Sequence, residues 1–185
     1  MLRISEICVS FLLILISLPL VIIICLLIVF DSKGMPIYFS KRVGLKKNIF
    51  FMPKFRTMKT NAPQVATDLI DQKKYLTRFG VFLRKYSIDE LPQLYSVFCG
   101  NMSFVGPRPA LFNQYELIKM RNSKGIYALK PGITGWAQIN GRDELSDKKK
   151  VELDEYYLKN RSILFDLKII LVTFFKVILQ KDISH

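Results

Sequence analysis

Residues 7–30 read ICVSFLLILISLPLVIIICLLIVF, a run of 24 residues without a charge. As an α-helix rising about 1.5 Å per residue, the run reaches roughly 36 Å, which is enough to span a bilayer. Pro19 stands near its centre, where it lacks a backbone donor and frees the carbonyl of Leu15. The two arms beside this break each cover only about 18 Å. A re-entrant hairpin therefore competes with a kinked spanning helix.

The chain as a whole is strongly basic. Lys and Arg number 28 against 15 acidic residues, which gives a net charge of +13, while 50% of the residues are hydrophobic. A chain that is both apolar and cationic suits a membrane surface or a phosphate-rich ligand. Nucleic acid is the weaker interpretation, because no nucleic-acid-binding module is recognisable. The basic segment after the apolar run places the bulk of the chain in the cytoplasm. Its cations are Lys33, Lys41, Arg42, Lys46 and Lys47.

Composition also limits the chemistry. The 185 residues suit a single domain. The only histidine is His185, which argues against histidine-based acid–base catalysis. Cys8 and Cys25 lie inside the apolar run, and Cys99 has no partner at metal-ligand spacing, so neither a disulfide framework nor a zinc site is expected. Catalysis must then rest on carboxylates, Lys, Arg or a metal ion.

The remaining pattern alternates short strands with helices. Residues 37–39 and 49–58 favour strands around a basic turn, which predicts a β-hairpin with Pro53 at an edge or bulge. A short strand is expected within residues 132–142, and residues 61–74 are polar enough for a loop or short helix. Helical spacing recurs at residues 75–85, 88–98, 110–124 and 147–160.

Residues 162–180 form a second apolar segment. It carries Asp166, Thr173, Lys176 and Gln180 at helical spacing on one side. Charges inside a membrane span are costly, so we expect an amphipathic helix lying in the membrane interface rather than a second span.

The sharpest candidate site is RKYSIDELPQ at residues 84–93. Ser87 and Glu90 match the S-x-x-E capping box, and Asp89 would favour the positive end of the helix dipole, which is a purely structural interpretation. The basic pair that begins with Arg84 supports another one. A helix N-terminus with adjacent carboxylates and cations also suits a metal-bound diphosphate. The pattern alone leaves both open.

Further candidates are cationic. Arg108 stands between two prolines in GPRP at residues 106–109, which directs its guanidinium at low entropic cost or simply stiffens a turn. Lys54 and Arg56 alternate on a predicted strand, so they share one face that either holds phosphate or is solvated.

Residues 132–142, GITGWAQINGR, combine three glycines, the only tryptophan, Gln138 and Arg142. Such glycines allow either close backbone approach to a ligand or tight turns. No dinucleotide-binding or Walker fingerprint is present.

In combination and order, these pieces resemble the bacterial sugar transferase family, specifically the small monotopic phosphoglycosyl transferases. The matching stretches are RVG at 42–44, KFRTM at 54–58, SIDELPQL at 87–94, GNMSFVGPRP at 100–109, PGITGWAQINGR at 131–142, ELDEYY at 152–157 and DLKI at 166–169. The resemblance covers nearly the whole chain. Departures concentrate near the N-terminus, where Arg3 is not followed by the family's Phe-Asp and the Ser-Pro break reads Ser17-Leu18-Pro19. Ser40 also stands where the family often has glutamine.

The resemblance implies an α/β fold: one small catalytic domain with an N-terminal re-entrant, or spanning, membrane helix and interfacial amphipathic helices. Residues 1–32 would form the membrane-inserted helix, and residues 33–185 the cytosolic, membrane-associated sugar transferase domain. The expected location is the cytoplasmic face of the bacterial inner membrane, in contact with its lipid.

The implied activity is transfer of a sugar 1-phosphate from a UDP-sugar to polyprenol phosphate, with undecaprenyl phosphate as the expected acceptor. Asp89 would attack the β-phosphate, expel UMP and bind Mg²⁺. Glu90 would position the metal or take the acceptor's proton. The residues expected to bind substrate are Arg84, Arg108, Arg142, Lys54, Arg56 and Gln138.

Two other functions are compatible with the same residues. A non-catalytic membrane-anchored scaffold would need the cationic surface, and a UDP-sugar-binding regulator would need the site without turnover. The sequence does not distinguish acetamido sugars from hexoses, and it leaves the oligomeric state open, a homo-oligomer included.

Overall fold

The computed structural model describes residues 3–63, 71–141 and 144–179. Its helices are α1 (Arg3–Asp31), α2 (Gln72–Tyr75), α3 (Arg78–Lys85), α4 (Gln93–Cys99), α5 (Tyr115–Ser123), α6 (Trp136–Ile139), α7 (Asp147–Asn160) and α8 (Ile163–Leu179). The strands are β1 (Ile37–Val43), β2 (Ile49–Phe55), β3 (Ser103–Val105) and β4 (Gly132–Thr134). Short 3-10 turns span Leu45–Lys47, Ile88–Glu90 and Ile126–Ala128.

The apolar run forms α1, a helix of 29 residues that contains Pro19. By length and composition this helix could cross a membrane. Most of its large apolar side chains between positions 11 and 27 are exposed, so the domain itself does not cover them. Ser17 lies two residues before Pro19 and donates a hydrogen bond to the carbonyl of Ile14 at 3.2 Å.

The N-terminal end of α1 is bound to α4. Arg3 donates to the carbonyls of Val97 at 2.7 Å and Phe98 at 2.6 Å, in the last turn of α4. A cation there complements the negative end of the helix dipole. Glu6 is buried and accepts a hydrogen bond from the Ser103 hydroxyl at the start of β3.

The C-terminal end of α1 is bound to the same domain. Arg56 donates to the Ser32 carbonyl at 2.5 Å and to the Ser32 hydroxyl at 2.9 Å, just beyond the last turn. A cluster of apolar side chains packs beside this contact. Its buried members are Ile24, Ile28, Phe55 and Leu83. Both ends of α1 therefore lie on one globular unit.

Strands β1 and β2 pair antiparallel, which confirms the predicted hairpin. Phe39 is opposite Pro53, and the register continues without a bulge. The ribbon has only two strands, so Pro53 lies in an edge strand, where a missing backbone donor is tolerated. Lys46 and Lys47 in the connecting turn have φ values of 52° and 65°, which is the left-handed region.

Strands β3 and β4 form a separate parallel pair, with Val105 opposite Thr134. A Cβ atom added at Gly132 would lie 2.1 Å from the backbone nitrogen of Gly106, and one at Gly135 would lie 2.1 Å from the Gly106 carbonyl oxygen. These glycines are required because two backbone segments of the protein lie against each other. At Gly132 and Gly135, the close backbone approach is therefore to another segment of the protein.

Some predicted elements differ from the structure. The continuous helix expected over residues 88–98 is wrong, because a 3-10 turn ends at Glu90 and α4 begins only after Pro92. The helix expected from residue 110 starts at Tyr115, and the short helix α6 was not predicted. The helix expected over residues 147–160 is confirmed as α7.

Helix α8 turns Asp166 and Thr173 toward the domain. Asp166 is 1% exposed and accepts a hydrogen bond from the Tyr157 hydroxyl at 2.6 Å. Thr173 lies 2.7 Å from the Thr134 hydroxyl on β4. The opposite face is apolar and exposed, including Leu164 at 79% and Phe174 at 60%. This orientation is the reverse of that of a helix on the surface of a soluble domain.

A buried ion pair joins α5 to α7. Arg121 and Asp154 lie 2.7 Å apart, with side-chain exposures of 4% and 2%. Burial raises the pKa of Asp154, and the charge of Arg121 opposes that rise. Arg121 also donates to the carbonyl of Arg108 at 2.7 Å, so the pair holds the loop after β3.

We predict that Asp154→Leu alone destabilises the protein by about 3–5 kcal/mol, because it leaves the Arg121 charge buried and unpaired. The double variant Asp154→Leu, Arg121→Met should recover most of that loss, since it removes both charges. Urea unfolding of the detergent-solubilised protein measures both. Losses that simply add in the double variant would contradict the ion-pair assignment.

Candidate active site

Two adjacent carboxylates, Asp89 and Glu90, occupy the 3-10 turn between α3 and α4. They are only 7% and 8% exposed. The preceding residue, Ser87, has a φ of 54°, and its side chain makes no capping hydrogen bond. The capping-box interpretation is therefore wrong. A non-glycine residue in this conformation costs about 1–3 kcal/mol, and such strain clusters at functional sites.

Glu90 is bound by two cations through one oxygen atom. Lys54 Nζ lies 2.9 Å from Glu90 Oε1, and Arg108 Nη1 lies 3.1 Å from the same atom. Lys54 also faces Asp89, at the longer distance of 3.9 Å. The structure thus brings together four of the residues selected from the sequence. They come from β2, the 3-10 turn and the GPRP loop.

The pKa of Lys54 lies below its usual value. Burial is the main cause, and the nearby charges of Arg108 and Arg42 add to it, while Glu90 and Asp89 oppose it. The cluster contains three cations and two carboxylates. A further anion bound beside these cations would offset their mutual repulsion, so the site is suited to phosphate.

Arg42 belongs to this cluster although the sequence analysis did not place it in the site. Its Nη1 donates to the Pro109 carbonyl at 3.0 Å, and its Nε donates to the Ser40 hydroxyl at 2.9 Å. Arg42 therefore holds the loop that carries Arg108. The RVG match at residues 42–44 was the available signal, but its partner lies 67 residues away.

The other predicted cations have different surroundings. Arg84 donates to the Thr57 hydroxyl at 3.0 Å, at the end of α3. Arg56 contacts the end of α1 instead of the carboxylates, because β2 ends at Phe55 and Arg56 already follows the strand. Lys54 and Arg56 therefore do not serve one common face. Arg142 lies outside the described residues.

A cavity of about 510 Å³ lies beside the carboxylate turn. Its walls come from α1, from the segment that contains the carboxylates, from β4 and α6, and from α8. Most of the lining is apolar. The polar side chains on it include Glu90, Ser87, Thr134, Gln138, Thr173 and Lys176. Gln138 donates to the Ile133 carbonyl at 2.8 Å, and its buried Oε1 has no hydrogen-bond partner among the described residues.

Few side chains in the described part of the chain are placed to coordinate a metal ion. Within residues 3–63, 71–141 and 144–179, no three His, Cys, Asp or Glu side chains group to hold a metal. Asp89 and Glu90 offer adjacent carboxylates. Mg²⁺ at phosphate-transfer sites usually takes one or two carboxylates and completes its coordination with substrate phosphates and water. The two residues fit that mode of binding, and the rest of the coordination would come from the ligand.

Comparison with known proteins gives a consistent family. The bacterial sugar transferase family model matches residues 1–180. An uncharacterized sugar transferase, EpsL, of Bacillus subtilis (strain 168) is 44% identical over 153 residues, which cover 82% of this chain and 75% of that protein.

Two longer relatives carry more specific names. The galactosyl transferase CpsE of Streptococcus agalactiae is 41% identical over 162 residues, covering 80% of this chain and 36% of the relative. The UDP-glucose:undecaprenyl-phosphate glucose-1-phosphate transferase of Escherichia coli (strain K12) is 38% identical over 188 residues. The match covers 97% of this chain and 40% of that protein. This chain therefore spans well under half the length of these two proteins.

Proposed function

Because the chain belongs to the bacterial sugar transferase family, we propose that it transfers a sugar 1-phosphate from a UDP-sugar to polyprenol phosphate and releases UMP. The observation that carries this proposal is the buried Asp89–Glu90 pair, set among cations at the edge of a cavity bordered by α1. Relatives named for undecaprenyl-phosphate as acceptor support it.

The cations would reduce the electrostatic repulsion between the attacking carboxylate and the diphosphate. A carboxylate that attacks a diphosphate meets like charge, and each contact at 4 Å opposes the attack by about 4 kcal/mol at an effective dielectric of 20. That energy corresponds to roughly a thousandfold in rate. Lys54 and Arg108 already lie at the carboxylates, so their positive charge is in place before substrate binds.

We assign different roles to the two carboxylates. Glu90 shares one oxygen between Lys54 and Arg108, so it bridges two cations of the site. Lys54 also lies 3.9 Å from Asp89. The resemblance to the family's Asp-Glu pair supports Asp89 as the nucleophile. Glu90 positions the cations and the metal ion rather than taking the acceptor's proton.

Two displacements at the same phosphorus atom complete the reaction. A carboxylate oxygen of Asp89 bonds to the β-phosphorus of the UDP-sugar, and the bond from that phosphorus to the bridging oxygen breaks, so UMP leaves. A phosphate oxygen of polyprenol phosphate then bonds to the phosphorus, and the bond to Asp89 breaks. The carboxylate is regenerated, and the dianionic acceptor needs no base. This is the usual way in which a carboxylate nucleophile divides one difficult transfer into two steps.

Mg²⁺, held by Asp89 with Glu90 nearby, would neutralise diphosphate charge. Arg108 and Arg84 are the arginines we assign to the phosphates, with Lys54 beside them. The Oε1 atom of Gln138, which has no hydrogen-bond partner within the described part of the chain, would accept a hydrogen bond from a donor group of the substrate. Substrate binding by Arg142 and Arg56 stays a prediction from the sequence.

The membrane arrangement follows from α1 and α8. A helix that crossed the bilayer would place its ends about 30 Å apart on opposite faces, yet both ends of α1 contact one domain. The outward face of α8 is apolar, which suits a helix lying in the membrane interface. We therefore propose that residues 1–32 enter and leave the bacterial inner membrane on its cytoplasmic side. Residues 33–185 would then lie at that face.

The topology has a direct test. In protein whose Cys8, Cys25 and Cys99 are replaced by alanine, Ile4→Cys and Lys33→Cys introduce single thiols at exposed positions on either side of the apolar run. Membrane-impermeant maleimide should label both in inside-out vesicles and neither in intact spheroplasts. Labelling of Ile4→Cys only from the periplasmic side would establish a spanning helix instead.

We predict that Arg108→Lys lowers the rate of UMP release at least about 100-fold, since an ammonium cannot reproduce the guanidinium fork. Its melting temperature should stay unchanged, because Pro107 and Pro109 keep the turn. The matched control is Arg121→Lys, which should lower both activity and melting temperature. Equal loss of stability in the two variants would favour a structural role for Arg108.

Asp89 should carry a sugar-phosphate adduct when the protein meets UDP-sugar and Mg²⁺ without polyprenol phosphate. Intact-protein mass spectrometry would detect this mass on the wild type and not on Asp89→Asn, a change that keeps the size of the side chain.

A panel of UDP-sugars, beginning with UDP-glucose, identifies the donor. UMP release from that panel also separates an enzyme from a scaffold or a regulator.

Glu90→Gln is the matched control for the adduct experiment. It should form the same adduct more slowly, because it disturbs the charge balance but keeps the nucleophile. An adduct on Asp89→Asn combined with none on Glu90→Gln would reverse the assignment. Turnover by a wild-type preparation that never shows an adduct would exclude the covalent route.

A further inference from the structure

Apart from Glu90 and Gln138, the residues that line the cavity beside the carboxylate turn have no role in the donor chemistry described above. We propose that it binds the first isoprene units of the polyprenol acceptor, and that Lys176 on α8 binds the acceptor's phosphate. This inference rests on the proposed function, because it names the place where the second substrate enters the same site.

The walls of the cavity match an isoprenoid chain. Leu13, Ile16 and Leu20 of α1 face Val177 of α8 across it, and Leu91 and Leu94 follow the carboxylates on a third side. A volume of about 510 Å³ is within the range of small-molecule sites. UDP would bury many polar atoms against this lining without partners, at a cost of several kcal/mol. The lining therefore favours a lipid over a nucleotide.

The cavity is continuous with the apolar surfaces of the protein. The α1 residues on its wall are themselves partly exposed, with Ile16 at 68% and Leu20 at 48%. On α8, the cavity is lined by Thr173, Lys176 and Val177, and the side chain of Phe174, next to Thr173 in sequence, is exposed. An isoprenoid chain could pass from the cavity into hydrocarbon without crossing water, as an acceptor resident in the membrane requires.

Two charged side chains line the cavity. Glu90 belongs to the carboxylate turn, and Lys54 and Arg108, which bind it, lie close by although they are not on the lining. Lys176 is the cation on the α8 wall, where the other lining residues are Thr173 and Val177. An ionisable side chain that faces a cavity from a membrane-associated helix commonly marks an ion or substrate path. Lys176 would therefore bind the acceptor's phosphate, with the cations at Glu90 adding longer-range attraction.

A polar contact beside the cavity helps to hold α8 against β4. The Thr173 hydroxyl donates to the Ile169 carbonyl at 2.7 Å and lies 2.7 Å from the Thr134 hydroxyl of β4. Because β4 pairs with β3, which leads into the GPRP loop, this contact joins the lipid wall to the same frame that carries Arg108.

Two substitutions test the proposal. Val177→Trp fills the cavity, and Lys176→Met removes its charge at nearly constant length. The matched controls are Leu171→Trp and Lys168→Met, which make the same changes at exposed positions of α8 that do not line the cavity. Lys168 lies over the Trp136 ring, 5.9 Å from its centroid, so its control also reports the loss of that contact. Melting temperatures verify that all four variants fold, and Lys176→Met provides a second route if Val177→Trp does not.

The measurement separates the two half-reactions. UMP release and adduct formation without acceptor report the first, with UDP-glucose or whichever UDP-sugar the wild type uses. The apparent KM for undecaprenyl phosphate and for a three-isoprene phosphate reports the second. We expect both cavity variants to keep the first half-reaction within about twofold and to raise the acceptor KM at least about tenfold, the loss typical of one charge-assisted contact. The controls should change neither.

The outcomes distinguish the proposal from the function on which it rests. An unchanged acceptor KM in both cavity variants would overturn the lipid site. A slower first half-reaction or a higher KM for the UDP-sugar would assign the cavity to the donor and also overturn it. A wild type that releases no UMP from any UDP-sugar would instead refute the proposed function itself.

Discussion

One oxygen of Glu90, shared by Lys54 and Arg108 in a buried setting, is the interaction on which the rest of the site depends. It joins a hairpin strand, a strained turn and the loop after β3, three segments that are remote in sequence. Removing one partner of such a buried group leaves an uncompensated charge at a cost of about 3–5 kcal/mol. The contact that assembles the phosphate-binding charges therefore also joins these three segments of the domain.

Structural arginines keep the functional one in place. The carbonyl of Arg108 accepts from Arg121, and the next carbonyl, that of Pro109, accepts from Arg42. Gly106 lies so close to the backbone of the β4 segment that no side chain fits between them. A guanidinium on a freely moving loop would lose conformational entropy on binding phosphate, whereas this loop has already been ordered by folding.

The same helices serve the membrane and the site. Helix α1 exposes an apolar surface and is bound to the domain at both ends, while α8 turns Asp166 and Thr173 inward and exposes an apolar face that includes Leu164 and Phe174. Their facing sides enclose the cavity beside the carboxylates. Because the acceptor we propose is a lipid, a site walled by membrane-facing helices removes the need to extract it into water. The helices that anchor the protein in the membrane would then also form the entry path of the lipid acceptor.

Features that depend on near neighbours could be predicted from the amino-acid pattern. They are the apolar length of α1, the hairpin, the extent of α7, and the choice of Asp89, Glu90, Lys54 and Arg108 as candidates, and they follow from spacings of two to four residues and from local composition. Three outcomes came from the folded chain instead: Glu90 binds cations and does not cap a helix, Asp166 and Thr173 of α8 face inward, and only some of the candidate cations reach the carboxylates. Each of these outcomes depends on a partner distant in sequence, such as the 36 residues between Lys54 and Glu90. A periodic pattern carries no information about such a partner, because the energy of a buried charge is set by what folding brings beside it.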